Sequence, residues 1–321
     1  MSQKNCLSNE VQKIIICPKC GGKLLFKENV TVCNGRCSLS YPVIDNIPIL
    51  IDEENSIFSL DDFLLHKDTT MKLTKNNTFG KIIRRILPRI DLNSKAKDNY
   101  NKFGKLLLEE TNNPIVLVTG GGIVGKGLDS LLSNTSIKFI ESDVSFGPRT
   151  TLICDAHSLP FEQNSIDGVI IQAVLEHVVD PYRCVEEIHR VLKPNGLVYA
   201  ETPFMQQVHM GAYDFTRFTH LGHRRLFRKF DEIESGAVCG TGMALANSYK
   251  NFLCSFTENK FLIKLIMLFS RFTAFFLKYF DYITINKSVT LDAASGYYFM
   301  GRKSDKVLSD RQLIKLYKGA L

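Results

Sequence analysis

From Pro114 onward, short apolar runs alternate with stretches whose apolar residues recur at helical spacing. The runs Ile115 to Val118, Ile137 to Glu141, Thr150 to Cys154, Ile166 to Ile171 and Leu197 to Thr202 predict strands. Gly125 to Leu132 and Pro181 to Leu192 predict helices, the second opened by proline in its first turn and stopped by Lys193-Pro194-Asn195-Gly196. A final run, Gly296 to Gly301, is expected to return the chain to the sheet edge. Strands separated by helices imply right-handed parallel crossovers, hence a doubly wound α/β fold with its ligand at the carboxyl ends of the strands. Ahead of this pattern, residues 14 to 51 form a unit rich in β-branched residues, ending in the apolar run from Tyr41 to Ile51. The polar stretch from Asp52 to Asn113 shows only weak helical periodicity, around Phe58 to Leu65 and Ile82 to Leu87.

With 321 residues, 45% of them hydrophobic and 23% charged, the chain can build one sizeable core and a smaller unit. Its nine cysteines change the picture of the smaller one. Cys17, Cys20, Cys33 and Cys37 cluster, whereas Cys6, Cys154, Cys184, Cys239 and Cys254 are scattered through core-like segments. A C-x2-C pair, twelve residues and a C-x3-C pair can deliver four thiolates to one tetrahedral ion. Four protein ligands leave no open position, so a zinc ion there is expected to be structural. Four unrelated buried cysteines are the alternative. The first thirteen residues lack the apolar run of a secretory signal, and a cytoplasmic location is expected.

The net charge of +7 is concentrated: Lys81 to Lys105 holds eight basic residues against two acids. Such a stretch attracts phosphate in nucleic acid, a nucleotide sugar or a lipid headgroup, or is simply a solvated linker helix. Residues 261 to 280 are the most apolar in the chain, with Lys264, Arg271 and Lys278 on one helical stripe. Three charges argue against a span. The helix could lie in the inner face of a bilayer, or cover the sheet or a second copy of the chain.

The first strand runs into Gly120-Gly121-Gly122-x-x-Gly125, glycines that let the backbone approach a ligand. Asp143 ends the second strand about twenty residues later, where a carboxylate can accept both ribose hydroxyls, and Asp155 follows the third strand. With D-A-H-S-L-P-F from Asp155, S-I-D-G-V-I-I-Q-A-V-L-E-H-V from Ser165 and R-V-L-K-P-N-G from Arg190, the chain resembles the class I S-adenosylmethionine-dependent methyltransferases of the type 11 kind. The resemblance covers about residues 114 to 240. It implies a Rossmann-like, mostly parallel seven-stranded sheet with S-adenosylmethionine as cofactor. It sets Gly120, Gly121 and Gly122 against the methionine portion, Asp143 against the ribose, Asp155 and Ala156 against the adenine, and Gln172 with Ala173 beside the methyl group. Glu176 and His177 are expected to cap the next helix and shape the pocket, or to be purely structural. One departure stands out: the family's acid two positions before the first glycine is Val118 here, followed by Thr119. Either Glu141 compensates, or cofactor binding is weakened and the chain is a non-catalytic binding protein on this fold.

The N-terminal segment, I-C-P-K-C-G-G-K-L through Y-P-V-I-D-N-I-P-I-L, resembles small zinc-binding activators of methyltransferases. This gives an expected organisation of a zinc-ribbon-like domain over 14–53, a basic linker with leading helices over 54–113, and a methyltransferase domain over 114–321 with a helical insertion at about 245–285.

The acceptor side should follow the strand ending at Thr202. His209 is the candidate base there, with Asp214 and Arg217 orienting it or the acceptor; an Asp paired structurally with an Arg is the competing reading. The string D-F-T-R-F-T, followed by Gly222-His223-Arg224-Arg225, resembles a loop of methyltransferases associated with bacterial surface glycans. That implies O-methylation of a small-molecule, sugar or glycolipid acceptor, and RNA is the alternative acceptor suggested by the basic stretch and the cysteine unit.

Overall fold

The computed structural model describes residues 7–67, 69–70 and 87–320. Lys81, Arg84, Arg85 and the periodicity from Ile82 onward therefore lie largely outside the described residues.

The chain's strands are β1 (Leu24–Phe26), β2 (Val30–Cys33), β3 (Ser40–Ile44), β4 (Ile47–Leu50), β5 (Ile115–Thr119), β6 (Lys138–Asp143), β7 (Leu152–Cys154), β8 (Ile166–Gln172), β9 (Leu192–Pro203), β10 (Phe230–Cys239) and β11 (Gly296–Lys303). Seven of them form the doubly wound sheet, in the order β7-β6-β5-β8-β9-β11-β10. β5 to β9 pair in parallel, and β11 is antiparallel to both its neighbours. This is the Rossmann-like arrangement with a mixed sheet. The order reverses at β5, and the glycine turn leaves the sheet there, which puts a crevice above the carboxyl ends of β5 and β8.

Helices cover both faces. On one, the helix Ala96–Glu110 buries Tyr100, Phe103 and Leu107, at the three- and four-residue spacing of a single face, against Val116, Ile170 and Tyr199. On the other, the helix Pro181–Val191 buries Cys184, Val185, Ile188 and Val191. Asp180 caps this helix, its side chain accepting from the Arg183 amide at 3.1 Å. Glu176 and His177, expected to cap it, stand in the preceding turn.

The cysteine unit is continuous with this sheet. β1 to β4 form an antiparallel meander, and β4 adds in parallel to β7. All four residues of β4 are buried, as a strand covered on both faces requires.

Three expectations need correction, and one strand carries no signal in the sequence. No helix starts at Gly125: only Asp129–Leu132 is helical. Gly127 takes φ +86°, where a Cβ would come within 2.8 Å of the Lys97 nitrogen and 3.0 Å of Ala96 Cβ. β10 carries no strand signal because it is the sheet edge, with half-exposed polar residues along Asp231 to Ser235. β11 does not take the edge but inserts between β9 and β10. The helix stops at Val191, as expected, but the strand expected from Leu197 begins already at Leu192 and runs through Lys193 to Gly196 with Asn195 at φ +62°.

Between β10 and β11 lie the helices Thr241–Cys254 and Lys260–Ala274 and several short turns. The second helix does not cover the sheet: only Ser270 and Ala274 are buried, while Phe261 is 68% exposed and Phe269 and Phe272 are more than half exposed. Among the described residues, no helix is long and apolar enough to cross a membrane.

Candidate active site

After β5 the chain turns at Gly120, which adopts φ +76°. The Gly120 and Gly121 amides both donate to the Ser142 carbonyl at 2.9 Å, and the Gly122 amide donates to Asp143 Oδ2 at 3.0 Å. A Cβ on Gly122 would come within 2.8 Å of that same oxygen. The three glycines thus fold the turn down onto β6 and against Asp143. Burial pushes the Asp143 carboxyl up to about 6.

Asp143, Asp155 and Ala156 line a cavity of about 320 Å³. Asp155 already has partners: the Ser56 hydroxyl donates to one oxygen at 2.5 Å, while the His157 amide at 2.9 Å and His157 Nδ1 at 2.6 Å meet the other. Burial raises its pKa, but these bonds outweigh it and hold the carboxyl below its usual value. Ile57, Phe58 and Thr70 form another wall, and Phe58 stacks on Tyr213 at 6.0 Å. The segment leaving the cysteine unit therefore encloses this cavity, which nothing in its polar sequence suggested.

A second cavity, of about 390 Å³, meets the first at Thr119, Gly120, Ala173 and His209. Ala173, at the junction, is held at φ +54°. Around this second cavity stand five side chains with buried polar atoms that have no hydrogen-bond partner: Thr119 Oγ1, Gln172 Oε1, both Glu176 oxygens, Thr202 Oγ1 and Ser295 Oγ. Each unmade bond costs on the order of 1–3 kcal/mol, so their gathering on one cavity marks a place for a polar ligand.

Glu201, at the carboxyl end of β9, also lines this cavity. It accepts from Asn93 at 2.8 Å, Gln172 at 2.7 Å and Tyr199 at 2.6 Å. Burial raises its pKa. Glu141 is not a substitute for the acid missing at Val118, because Arg149 takes its carboxylate and it borders neither cavity. Glu201 and Asn93 were missed in the sequence, although the end of a parallel strand is where ligand-facing residues belong.

The structure brings His209, Asp214 and Arg217 together. Asp214, its side chain 1% exposed, accepts from the His209 and Met210 amides at 2.8 and 3.3 Å and from Arg217 through both terminal nitrogens, at 2.5 and 3.0 Å. Burial opposes ionisation, but Arg217 and the two amides overcome it and hold the carboxyl well below the usual range. Arg217 also donates to the Gln206 and Gln207 carbonyls at 2.8 and 3.2 Å. Asp214 thus pairs with Arg217 and not with the imidazole, whose Nδ1 lies 3.5 Å away. His209 directs Nε2 at Glu176, 3.9 Å from Oε1, and meets the His177 ring edge-on at 4.8 Å. Burial pushes the Glu176 carboxyl up to about 8.

In the N-terminal unit, Cys17 and Cys37 Sγ atoms are 3.5 Å apart and those of Cys20 and Cys33 3.4 Å, all four being free thiols within 4.8 Å of one another. Gly22 and Gly35 pack backbone to backbone beside them, where a Cβ on either would come within 2.8 Å of the other. The Gly35 amide points at Cys33 Sγ, 3.2 Å away. This set fits one tetrahedral ion.

The family pattern described as "Methyltransferase domain" matches residues 130–200. A UPF0434 protein of Pseudoalteromonas translucida is 49% identical over 51 residues, 16% of this chain and 78% of that protein. The mitochondrial arginine-hydroxylase NDUFAF5 of Mus musculus is 35% identical over 75 residues, 23% of this chain and 21% of that one. Among solved structures, the 1,6-didemethyltoxoflavin-N1-methyltransferase of Burkholderia thailandensis aligns with a TM-score of 0.42 and 12% identity, over 88% of this chain and 99% of that one.

Proposed function

We propose that this chain, which belongs to the UPF0434 family in its N-terminal segment and carries a class I methyltransferase domain behind it, methylates a small-molecule, sugar or glycolipid acceptor on oxygen. The observation that carries the proposal is the junction of two cavities at Thr119, Gly120 and Ala173, one bordered by Asp143 and the other by unpartnered polar groups.

S-adenosylmethionine would supply the methyl group on a sulfonium. Gly120, Gly121 and Gly122 would border its methionine portion, Asp143 its ribose hydroxyls, Asp155 and Ala156 its adenine, and Gln172 and Ala173 the methyl group. Glu201 is the carboxylate available to its ammonium, in place of the acid absent at Val118. On the acceptor side, His209 and Glu176 meet the acceptor's polar group across the second cavity. Asp214 and Arg217 would fix the His209 loop beside this cavity, the positioning that in-line transfer requires.

The exposed apolar face of Lys260–Ala274, with Lys260, Lys264 and Arg271 on the same helix, suits peripheral contact with an anionic membrane. That helix packs on Thr241–Cys254, whose Met243 lines the acceptor cavity, so a glycolipid headgroup could reach the site from the bilayer. In the N-terminal unit, Cys17, Cys20, Cys33 and Cys37 would hold a structural zinc that fixes β1 to β4 against β7.

The test is incubation of the purified chain with methyl-labelled S-adenosylmethionine and fractionated cell extract. Label is expected in a polar small-molecule or lipid fraction; label in RNA alone, or in no fraction, would refute the proposal.

A further inference from the structure

Glu176 is fully buried, and no neighbouring residue donates a hydrogen bond to either of its oxygens. Two imidazole nitrogens face it, His177 Nε2 at 3.5 Å and His209 Nε2 at 3.9 Å. The other nitrogen of each ring sits at a carbonyl: His177 Nδ1 is 2.8 Å from Tyr213 O, and His209 Nδ1 is 3.3 Å from Gln207 O. A carbonyl only accepts, so His177 Nδ1 carries the proton and its Nε2 turns a lone pair towards Glu176; His209 Nδ1 also faces Arg217 Nη2 at 3.5 Å, and its Nε2 is the nitrogen directed at Glu176. One carboxyl and two imidazole nitrogens converge there, and the ligand atoms all lie within 4.8 Å of one another.

A buried carboxyl that faces two imidazole nitrogens, with no guanidinium or ammonium paired to it among the described residues, offers three ligand atoms to a cation. Imidazoles whose far N–H is held by a carbonyl are the usual arrangement of metal-binding histidines. Atoms sharing one ion at about 2.1 Å lie about 3 to 3.5 Å apart, so binding would draw the His209 imidazole, 3.9 Å from Glu176 Oε1, inward.

We infer that Glu176, His177 and His209 form a second metal site, taking a first-row divalent ion of the zinc, iron, cobalt or manganese class. Two imidazoles and one carboxylate leave coordination positions open, in contrast to the four-cysteine set. Glu176 and His209 border the cavity that also holds Gln172 and Ala173, so an open position faces the place assigned to the acceptor. The ion would bind an acceptor oxygen there and orient it, with His209 serving as a ligand. That task rests on the acceptor reading of the cavity; the binding of the ion does not.

The test uses the full chain, loaded with cobalt(II) or zinc(II) and freed of excess metal, without methyl donor or acceptor. Two ions per chain are expected, one of them giving the thiolate-to-cobalt absorption of the cysteine site. Glu176→Gln and His209→Ala should each remove one ion and leave that absorption intact, which also reports that the chain has folded. His209 lies on a partly exposed loop, so its replacement serves if the buried one prevents folding. A wild-type chain that takes up one ion only, even when titrated with manganese(II) or iron(II), would overturn the inference, as would a His209→Ala chain that keeps both. Either failure leaves the methyl-transfer reading standing, since no methyl donor takes part.

Discussion

Ile49 of β4 lies opposite Ile153 of β7 in parallel register, and both side chains are fully buried. The cysteine unit therefore continues the large sheet through β4 and is not a bead on a tether. Ile49→Ala should lower the stability of the whole chain by about 2–5 kcal/mol, the cost of a buried cavity. Removing metal from the cysteine site, or Cys17→Ser, should likewise lower the Tm of the entire protein in one transition. Calorimetry showing two independent transitions, only the smaller one sensitive to chelator, would contradict this coupling.

Asp143 gives a pH dependence with opposite signs for stability and binding. Its carboxyl is pushed up to about 6 in the folded chain, above an unfolded value near 3.9. The apo-protein's contribution from this group is greatest below pH of about 4 and is lost as pH rises towards 6. The ionised form is the one that accepts ribose hydroxyls, so affinity for S-adenosylmethionine should hold steady above pH of about 7 and fall below 6. Asp143→Asn should weaken binding by about tenfold or more and flatten the profile, as measured by calorimetric titration across pH.

The parallel-strand framework was legible in the sequence because parallel strands buried on both faces must be apolar runs, and because Asp143 ends one of them and Asp155 follows another. β10 was not, since an edge strand needs no apolar face. The expected helix after the glycine turn failed because Gly127 adopts φ +86°, outside the helical range, at a place where a side chain would meet Ala96 and Lys97 of a helix distant in sequence. Glu176 illustrates the same limit: its position beside His177 suggested a helix cap, and only the fold brings His209 to it.

Asp214→Asn should leave cofactor affinity within about threefold, because the residue touches neither the glycine turn nor Asp143. It removes a charge that holds Arg217 and the amides of His209 and Met210. A loop misplaced by about 1 Å costs on the order of 100-fold in rate, so kcat/KM should fall by about that factor. An unchanged rate in a methyl-transfer assay would remove this loop from the site.

Exposed Phe261, Phe269 and Phe272 can each contribute about 2 kcal/mol on entering a bilayer surface. Replacing all three by serine should abolish sedimentation with anionic vesicles without changing the Tm, and wild-type binding should weaken with salt. Equal sedimentation of variant and wild type would exclude this face.

Calorimetric titration of the full chain with S-adenosylmethionine tests the central claim most directly. One site per chain is expected, with a rise in Tm on binding and loss of both in Asp143→Ala. No heat and no thermal shift at millimolar ligand would contradict the assignment of this crevice to a methyl donor.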